Sequence, residues 1–197
     1  MSRTKSNQTR GKIIQAAISL FAEKGFYNTS TLEIANNAEV AEGTVFKHFK
    51  TKKNLLLELV DEINAEEISS LLQQAADNET KVILREFLKN HKQLIKDNFP
   101  LIKVIIYEAQ FFPELKEKFI EDVALKIFSP LESYIEDKVA KGEFKNFTPQ
   151  ITSRAFIGMI VSFIAWQDVL KADNYKSFDE IEVIEEVVEI FLSGVKS

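Results

Sequence analysis

The residues best suited to chemistry fall in one short stretch, AEVAEGTVFKHFKTKKNLL, residues 38–56. It sets Gly43 and Thr44 ahead of two phenylalanines, a histidine and four lysines. Ammonium groups and a hydroxyl around a slim helix are the groups that hold phosphates and probe base edges. The spacing predicts a reading helix over 42–49 that enters the major groove of DNA, with phosphate donors on both sides. Gly43 lets the backbone approach the duplex, and Thr44 offers a hydroxyl and a methyl that can touch a thymine. Lys47 points to phosphate or guanine. Val45 and Phe49, four residues apart, face inward and hold the helix on its neighbours. Thr31, opening the preceding helix, places a hydroxyl beside unpaired backbone N–H groups, a phosphate site. Lys52 and Lys53 begin the next helix, and Arg3, Lys5, Arg10 and Lys12 form an arm along the backbone or minor groove.

Charge is divided to match. Residues 1–53 carry nine Lys+Arg against four Glu, a surplus of five positive charges, although the chain as a whole stands at −5. The remaining residues carry 16 Lys+Arg against 26 acids. A positive unit on a negative body points to a polyanionic partner for the first part, the plainer alternative being a solvated basic tail.

Other chemistries lack their residues. Cysteine is absent and the two histidines, His48 and His91, stand far apart. That leaves no thiolate metal site, no disulfide and no cysteine nucleophile. The glycines are scattered singly, so no phosphate-cradling loop is present, and carboxylate runs such as Glu66-Glu67 and Glu185-Glu186 read as solvated helix faces. No catalysis, cofactor or metal is expected. The basic N-terminus has no apolar segment behind it, and the run AFIGMIVSFIAW at 155–166 is too short to span a bilayer, so a cytoplasmic protein without membrane contact is expected.

The elements that must position these groups are helical. Six glycines and four prolines leave little for a turn-rich β fold. Residues 9–24 carry an apolar stripe at Ile13, Ala17, Leu20 and Phe21, with Thr9 as N-cap and Gly25 as the left-handed stop. Ser30 and Glu33 form a capping box for a second helix, and three residues later the reading helix begins. Two short helices with so brief a turn read as helix-turn-helix. A long fourth helix is expected from Thr51 to about Ala76, then helices over 79–97, 100–111, 114–141, 149–171 and 178–194. Pro130 should kink or split the one that contains it.

LFAEKGFYNTSTLEIANNAEVAEGTVFKHFKTKKNLL, residues 20–56, resembles the DNA-binding domain of the TetR/AcrR family of bacterial transcriptional regulators. The resemblance implies an all-α chain: a three-helix DNA-binding domain over 1–50, and a larger effector-binding and dimerisation domain over 51–197 joined through the long fourth helix. It implies Thr31, Glu42, Gly43, Thr44, Phe46, Lys47, His48 and Lys52 as the DNA-contacting set. Four positions depart from the family's habit. Glu39 stands where glycine is usual and Ala41 where serine is common. Phe46 and His48 stand for tyrosines that donate to phosphates.

The family also implies a homodimer on a pseudo-palindromic operator, formed by the last two long helices, and release by a small molecule. Ala155, Gly158, Met159, Ser162 and Trp166, with Ile184, Val187, Val188 and Phe191, are the expected interface. Phe87, His91, Phe99, Ile102, Ile106, Tyr107, Phe111, Phe128, Phe163 and Gln167 are the expected pocket, suited to an apolar or aromatic effector. Repression is the family's commoner mode. The competing reading is an all-helical interaction scaffold that does not bind specific DNA, which leaves the basic, aromatic segment without a purpose.

Overall fold

A computed structural model describes residues 2–73 and 79–196. Among them the chain is helix and turn, with one isolated antiparallel bridge between Phe144 and Lys196. It divides into two compact units, each built from two segments: Met1–Ile63 with Asn98–Val123, and Asn64–Asp97 with Ala124–Ser197.

In the first unit, α1 runs over Ser2–Lys24, longer than its expected range. Thr9 lies inside it rather than capping it, and its hydroxyl donates to the Lys5 carbonyl at 2.9 Å. Ile13, Ile14, Ala17 and Phe21 form its buried stripe. Gly25, at φ 81°, ends the helix as expected, a conformation that costs glycine nothing. The chain then turns through Phe26 into α2, Thr31–Asn37, which begins with the full capping box: the Glu33 N–H donates to Ser30 Oγ at 3.1 Å and the Ser30 N–H donates to Glu33 Oε2 at 2.8 Å. A tight turn leads to α3, Glu42–His48, and Thr51 caps α4, Lys52–Glu58, by accepting from the Asn54 N–H at 3.0 Å.

The expected long fourth helix does not form. After Glu58 the chain tightens into a 3-10 turn over Leu59–Glu62, and Ile63 is extended. Two local causes combine. The tightened turn buries Leu59, Val60, Ile63 and Ala65 together. Asn64 then caps a new helix, its Oδ1 accepting from the Glu66 N–H at 3.0 Å. The new helix is α5, Glu66–Gln73; the expected end near Ala76 and part of the DNET turn lie outside the described residues.

The segment 98–123 completes the first unit. Helix α7, Phe99–Glu108, packs on α1, and α8, Pro113–Phe119, packs on α4. Phe112 between them stacks on Tyr27 at 5.9 Å and meets Phe26 edge-on at 5.0 Å.

The second unit is a bundle of α5, α6 (Thr80–Asp97), α9 (Leu125–Ala140), α10 (Pro149–Ile164) and α11 (Glu180–Val195). Both α5 and α10 pack against α6 and α9, while α11 lies on α6 and α10. Leu84, Phe87, Leu88, Leu131, Phe156, Ile160 and Val188 are fully buried. Helix α9 runs through Pro130 without dividing there. The irregularity sits upstream, in a π turn over Ile120–Ala124 that separates α8 from α9.

Candidate nucleic-acid interface

Helix α3 is held by its two inward residues. Val45 and Phe49 are each 1% exposed, and the Arg10 guanidinium covers the Phe49 ring at 5.5 Å. With those two fixed, the helical pitch turns Gly43, Phe46 and Lys47 outward together, at i, i+3 and i+4. All three are exposed, as is Lys50 just beyond the helix. Nothing lies within 4 Å of where a Gly43 Cβ would stand, so that side of the helix is slim and open. Thr44 and His48 are half-buried at the flanks.

The starts of α2 and α3 are tied to each other. Thr31 Oγ1 donates to Glu42 Oε1 at 2.6 Å, so each expected DNA contact has the other as its partner in the free protein. The turn between the helices carries Glu39 in the left-handed region at φ 57°, with its carboxylate 3.4 Å from Lys12 Nζ. Ala41 takes the N-cap backbone geometry of α3 without a side-chain hydrogen bond.

Lys52 sits differently from the other lysines of the segment. It is half-buried, and its ammonium donates to the carbonyls of Phe26 at 2.7 Å and Thr29 at 2.6 Å while lying 4.3 Å over the Phe26 ring. Burial pushes its pKa below the usual lysine value, against the pull of Glu108 and Glu33. Lys52 therefore shapes the loop before α2, its ammonium turned onto backbone carbonyls. Within a basic run after an N-cap threonine, nothing distinguishes such a lysine from a solvated one. Lys53 remains at the surface, paired with Glu114 at 2.7 Å.

Sequence reasoning passed over Glu108. It is 2% exposed, and its Oε1 accepts the Phe26 N–H at 2.9 Å, joining the end of α7 to the loop that Lys52 braces from the other side. A glutamate ending an apolar helix looks like any surface residue until α7 is seen against α1.

The residues expected to line an effector pocket divide between the units. Phe87, His91, Phe128, Phe163 and Gln167 belong to the second; Phe99, Ile102, Ile106, Tyr107 and Phe111 belong to the first. In the second unit, His91 is 5% exposed and lies parallel to the Phe87 ring at 6.2 Å. Burial lowers its pKa to about 4, and its Nδ1 has no hydrogen-bond partner. The neighbouring Lys92, 2% exposed, reaches Glu180 at 3.4 Å. Phe128 lies under the Arg154 guanidinium at 4.8 Å. Gln167 holds the segment before α11 by donating to the Phe178 carbonyl at 3.0 Å. In the first unit Phe99 and Ile102 are half-buried, whereas Ile106, Tyr107 and Phe111 are exposed.

The expected dimer residues also separate. On α10, Ala155, Gly158 and Ser162 are exposed, Met159 is half-buried, and Ile151 extends the same face, while Trp166 is exposed in the π turn over Ala165–Val169 that follows. On α11, Ile184, Val187, Val188 and Phe191 point inward and pack inside the subunit, with Phe191 4.3 Å from the Phe156 ring. An apolar stripe shows that a helix face is covered but not by what. The outward apolar groups of α11 are Ile181 and Ile190, which lack a continuous stripe. A groove of about 470 Å³ runs between the two helices, lined by Met159, Ser162, Phe163, Phe178, Val187 and Ile190.

Residues 13–59 match the model of the bacterial regulatory proteins of the tetR family. Residues 82–194, more than half of the chain, match that of the C-terminal domain of AefR-like transcriptional repressors. The fatty acid metabolism regulator protein of Bacillus subtilis (strain 168) is 25% identical over 186 residues, spanning 93% of this chain and 94% of that protein. Among solved structures, the transcriptional regulator FadR from Bacillus subtilis, in complex with stearoyl-CoA, aligns over 93% of this chain and 97% of its own, with a TM-score of 0.72 at 24% identity. NalD, the secondary repressor of the MexAB-OprM multidrug efflux pump in Pseudomonas aeruginosa, aligns over 98% of both chains, with a TM-score of 0.71 at 24% identity. At these identities the two structures establish the shared fold. The proteins this chain resembles are regulators rather than enzymes, and the match over 13–59 removes the scaffold without DNA binding. No helix among the described residues is long and apolar enough to cross a membrane.

Proposed function

This chain belongs to the tetR family of bacterial regulatory proteins and is a DNA-binding transcriptional regulator; we propose that it represses as a homodimer on a pseudo-palindromic operator and is released by a small apolar or aromatic effector. The observation that carries the reading is the outward face of α3, where Gly43, Phe46 and Lys47 stand exposed on a helix fixed from behind by Val45 and Phe49. Residues 1–50 take the DNA, with Lys47, Lys50 and His48 supplying donors. Residues 51–197 take the effector and the second copy, and the protein works in the cytoplasm.

The homodimer reading rests on the exposed small-residue face of α10, which lets a partner helix come close, together with the groove beside it lined in part by Met159, Phe163, Val187 and Ile190. The effector reading rests on the aromatic interior around Phe87, His91 and Phe156, and on the acyl-CoA held by the Bacillus relative, whose long apolar chain suits such an interior. A ligand that fits the second unit better when the α4–α5 connection is displaced changes the spacing of the two reading helices. By linkage, operator DNA then weakens that ligand by the same factor.

A mobility-shift titration with DNA from upstream of its own gene tests this. The wild type should retard a specific fragment, with affinity falling steeply between low and moderate salt because lysines supply most of the phosphate contacts. Lys47→Ala should weaken binding about tenfold, and stearoyl-CoA should release the complex. No retarded species at low salt with any nearby promoter would defeat the operator reading. Unchanged operator affinity across long-chain acyl-CoAs and aromatic effectors would defeat the effector reading.

A further inference from the structure

We infer that Phe46 reads the operator by packing against the C5-methyl of a thymine, so that each half-site carries a thymine roughly one or two base pairs from the base contacted by Lys47. The inference rests on the operator reading above and deepens it.

On α3 the three apolar side chains are treated in two ways. Val45 and Phe49 are 1% exposed, while Phe46, between them, is 47% exposed. Leaving that much ring in water forgoes the burial that its neighbours gain. Among the described residues Phe46 makes no contact with another aromatic ring, unlike Phe26, which meets Phe21, Tyr27 and Phe112. Residues 43 and 47, each two positions from Val45, lie opposite the anchors, and Phe46 lies about 100° round the helix from Val45, on the flank that leads to Lys47, where it is left in water.

What can cover such a ring follows from the surface around it. The neighbours on that face are Gly43 and Lys47, with Lys50 next along the chain, so the approaching surface must be anionic and must come close enough to use the gap at glycine. Duplex DNA meets both demands. Within the major groove the apolar group on offer is the thymine methyl, and Phe is one of the side chains whose apolar contact matches it. A tyrosine here could instead turn its hydroxyl to a phosphate; Phe46 has no donor, which leaves contact through carbon. Lys47, one residue on, suits guanine O6 and N7. Adjacent positions on a helix lying in the groove fall over neighbouring base pairs, which sets the spacing stated above. Thr44 also owns a methyl, but it is half-buried at the flank rather than on the outward face.

The experiment uses full-length protein to enrich duplexes from a random-sequence pool. Each thymine of the recovered site is then replaced with uracil, which removes the methyl and leaves every hydrogen-bonding group in place. Binding is read by fluorescence anisotropy for wild type, Phe46→Ala, Phe46→Leu and Thr44→Ser, with circular dichroism to confirm that all four fold. At one thymine per half-site the wild type should lose about fourfold on substitution with uracil, the worth of one buried methyl. Phe46→Ala should bind more weakly and be indifferent to uracil there, whereas Phe46→Leu and Thr44→Ser should retain the sensitivity. Uracil tolerated at every position by the wild type overturns the inference. So does discrimination that survives in Phe46→Ala or disappears in Thr44→Ser. A pool from which no sequence is enriched overturns the operator reading itself, a different outcome from an enriched site that ignores the methyl.

Discussion

In the unit built on α1–α4, α7 and α8, buried charge is turned onto the backbone of a single loop. Lys52 donates to the carbonyls of Phe26 and Thr29, and Glu108 accepts the Phe26 N–H from the other side. In the bundle of α5, α6 and α9–α11, the interior polar groups are left incomplete. Among the described residues His91 Nδ1 and the Tyr134 hydroxyl have no hydrogen-bond partner, as is true of the second Glu108 oxygen, Oε2, in the first unit, and several ion pairs run along the outer seam of α6 and α11, where Lys81 meets Glu189, Arg85 meets Glu185 and Lys96 meets Glu180. Buried polar groups that are satisfied fix one geometry; those left without partners are the places where a structure stays open to an added ligand. The first arrangement suits a helix that must present Gly43, Phe46 and Lys47 at a set angle. The second leaves the His91 ring beside Phe87 with an open hydrogen-bonding position.

The comparison extends to the surface, and the largest effect expected tests it there. The outward face of α10 has open space at Gly158, where an added Cβ meets nothing within 4 Å, so a side chain such as arginine can leave the helix there toward solvent. If that face meets a second copy, Gly158→Arg should give a monomer by analytical ultracentrifugation with unchanged circular dichroism. Operator affinity should fall by about a hundredfold or more, because a monomer engages one half-site where the dimer engages two. A dimeric Gly158→Arg protein would move the interface elsewhere and leave α10 as a bare face.

Acid separates the buried His91 from the surface carboxylates. Burial holds the His91 imidazole neutral down to about pH 4, whereas the unfolded chain protonates near the ordinary value of 6.5. The unfolded state therefore binds the extra proton first. Stability present above pH 6.5 is lost as pH falls toward 4 and then levels off, by up to about 3 kcal/mol. In the first unit, Glu33 is pulled to about 2 by its hydrogen bond from Lys24 and those from Ser30. Its contribution is present above the ordinary carboxylate value of 4.5 and is lost only as pH falls below it, as are those of Glu180 and Glu189 in the second unit, which hydrogen bonds from Lys96 and Lys81 hold low, so the His91 loss comes before the carboxylate losses of both units. Urea denaturation at pH 7 and pH 4.5 should show a smaller acid loss for His91→Leu than for wild type. Equal losses would place the upper window on another group.

These contrasts explain what was legible beforehand. The reading helix was, because its signals are local: Ser30 and Glu33, Thr51, and the pair Val45 and Phe49 act within a few residues of themselves. The bundle's helices were legible as helices for the same reason. Their long-range roles were not. Ile184 and Val188 form the same stripe whether α6 or a second copy covers it, and the structure gives it to the subunit's own interior. Lys52 and Glu108 depend on a pairing across 82 residues of sequence between Phe26 and Glu108, which no local pattern encodes. The break after Glu58 lay between the two cases: the apolar spacing on either side of it reads as one continuous helix, and the Asn64 cap shows only in the structure.

The smallest effect expected concerns backbone strain, of which each unit holds one instance. Glu39 sits at φ 57° in the turn before α3, and Lys171 at φ 53° just after the π turn over Ala165–Val169 that follows α10. The left-handed region costs a residue with a Cβ about 1 kcal/mol, which glycine avoids. Glu39→Gly gives up an exposed pair with Lys12 that contributes little, so the strain relief should prevail. Lys171→Gly should gain a similar amount. Each variant is expected to raise thermal stability by a few degrees, the equivalent of about 1 kcal/mol at most. Operator affinity separates the two. Lys171→Gly should leave it unchanged, whereas Glu39→Gly loosens the turn that sets α3 against α2 and should weaken binding about twofold while the protein melts higher. Unchanged affinity in Glu39→Gly would mean that the Thr31–Glu42 hydrogen bond and the Val45–Phe49 anchor hold α3 by themselves, and that the left-handed glutamate is tolerated strain without a part in recognition.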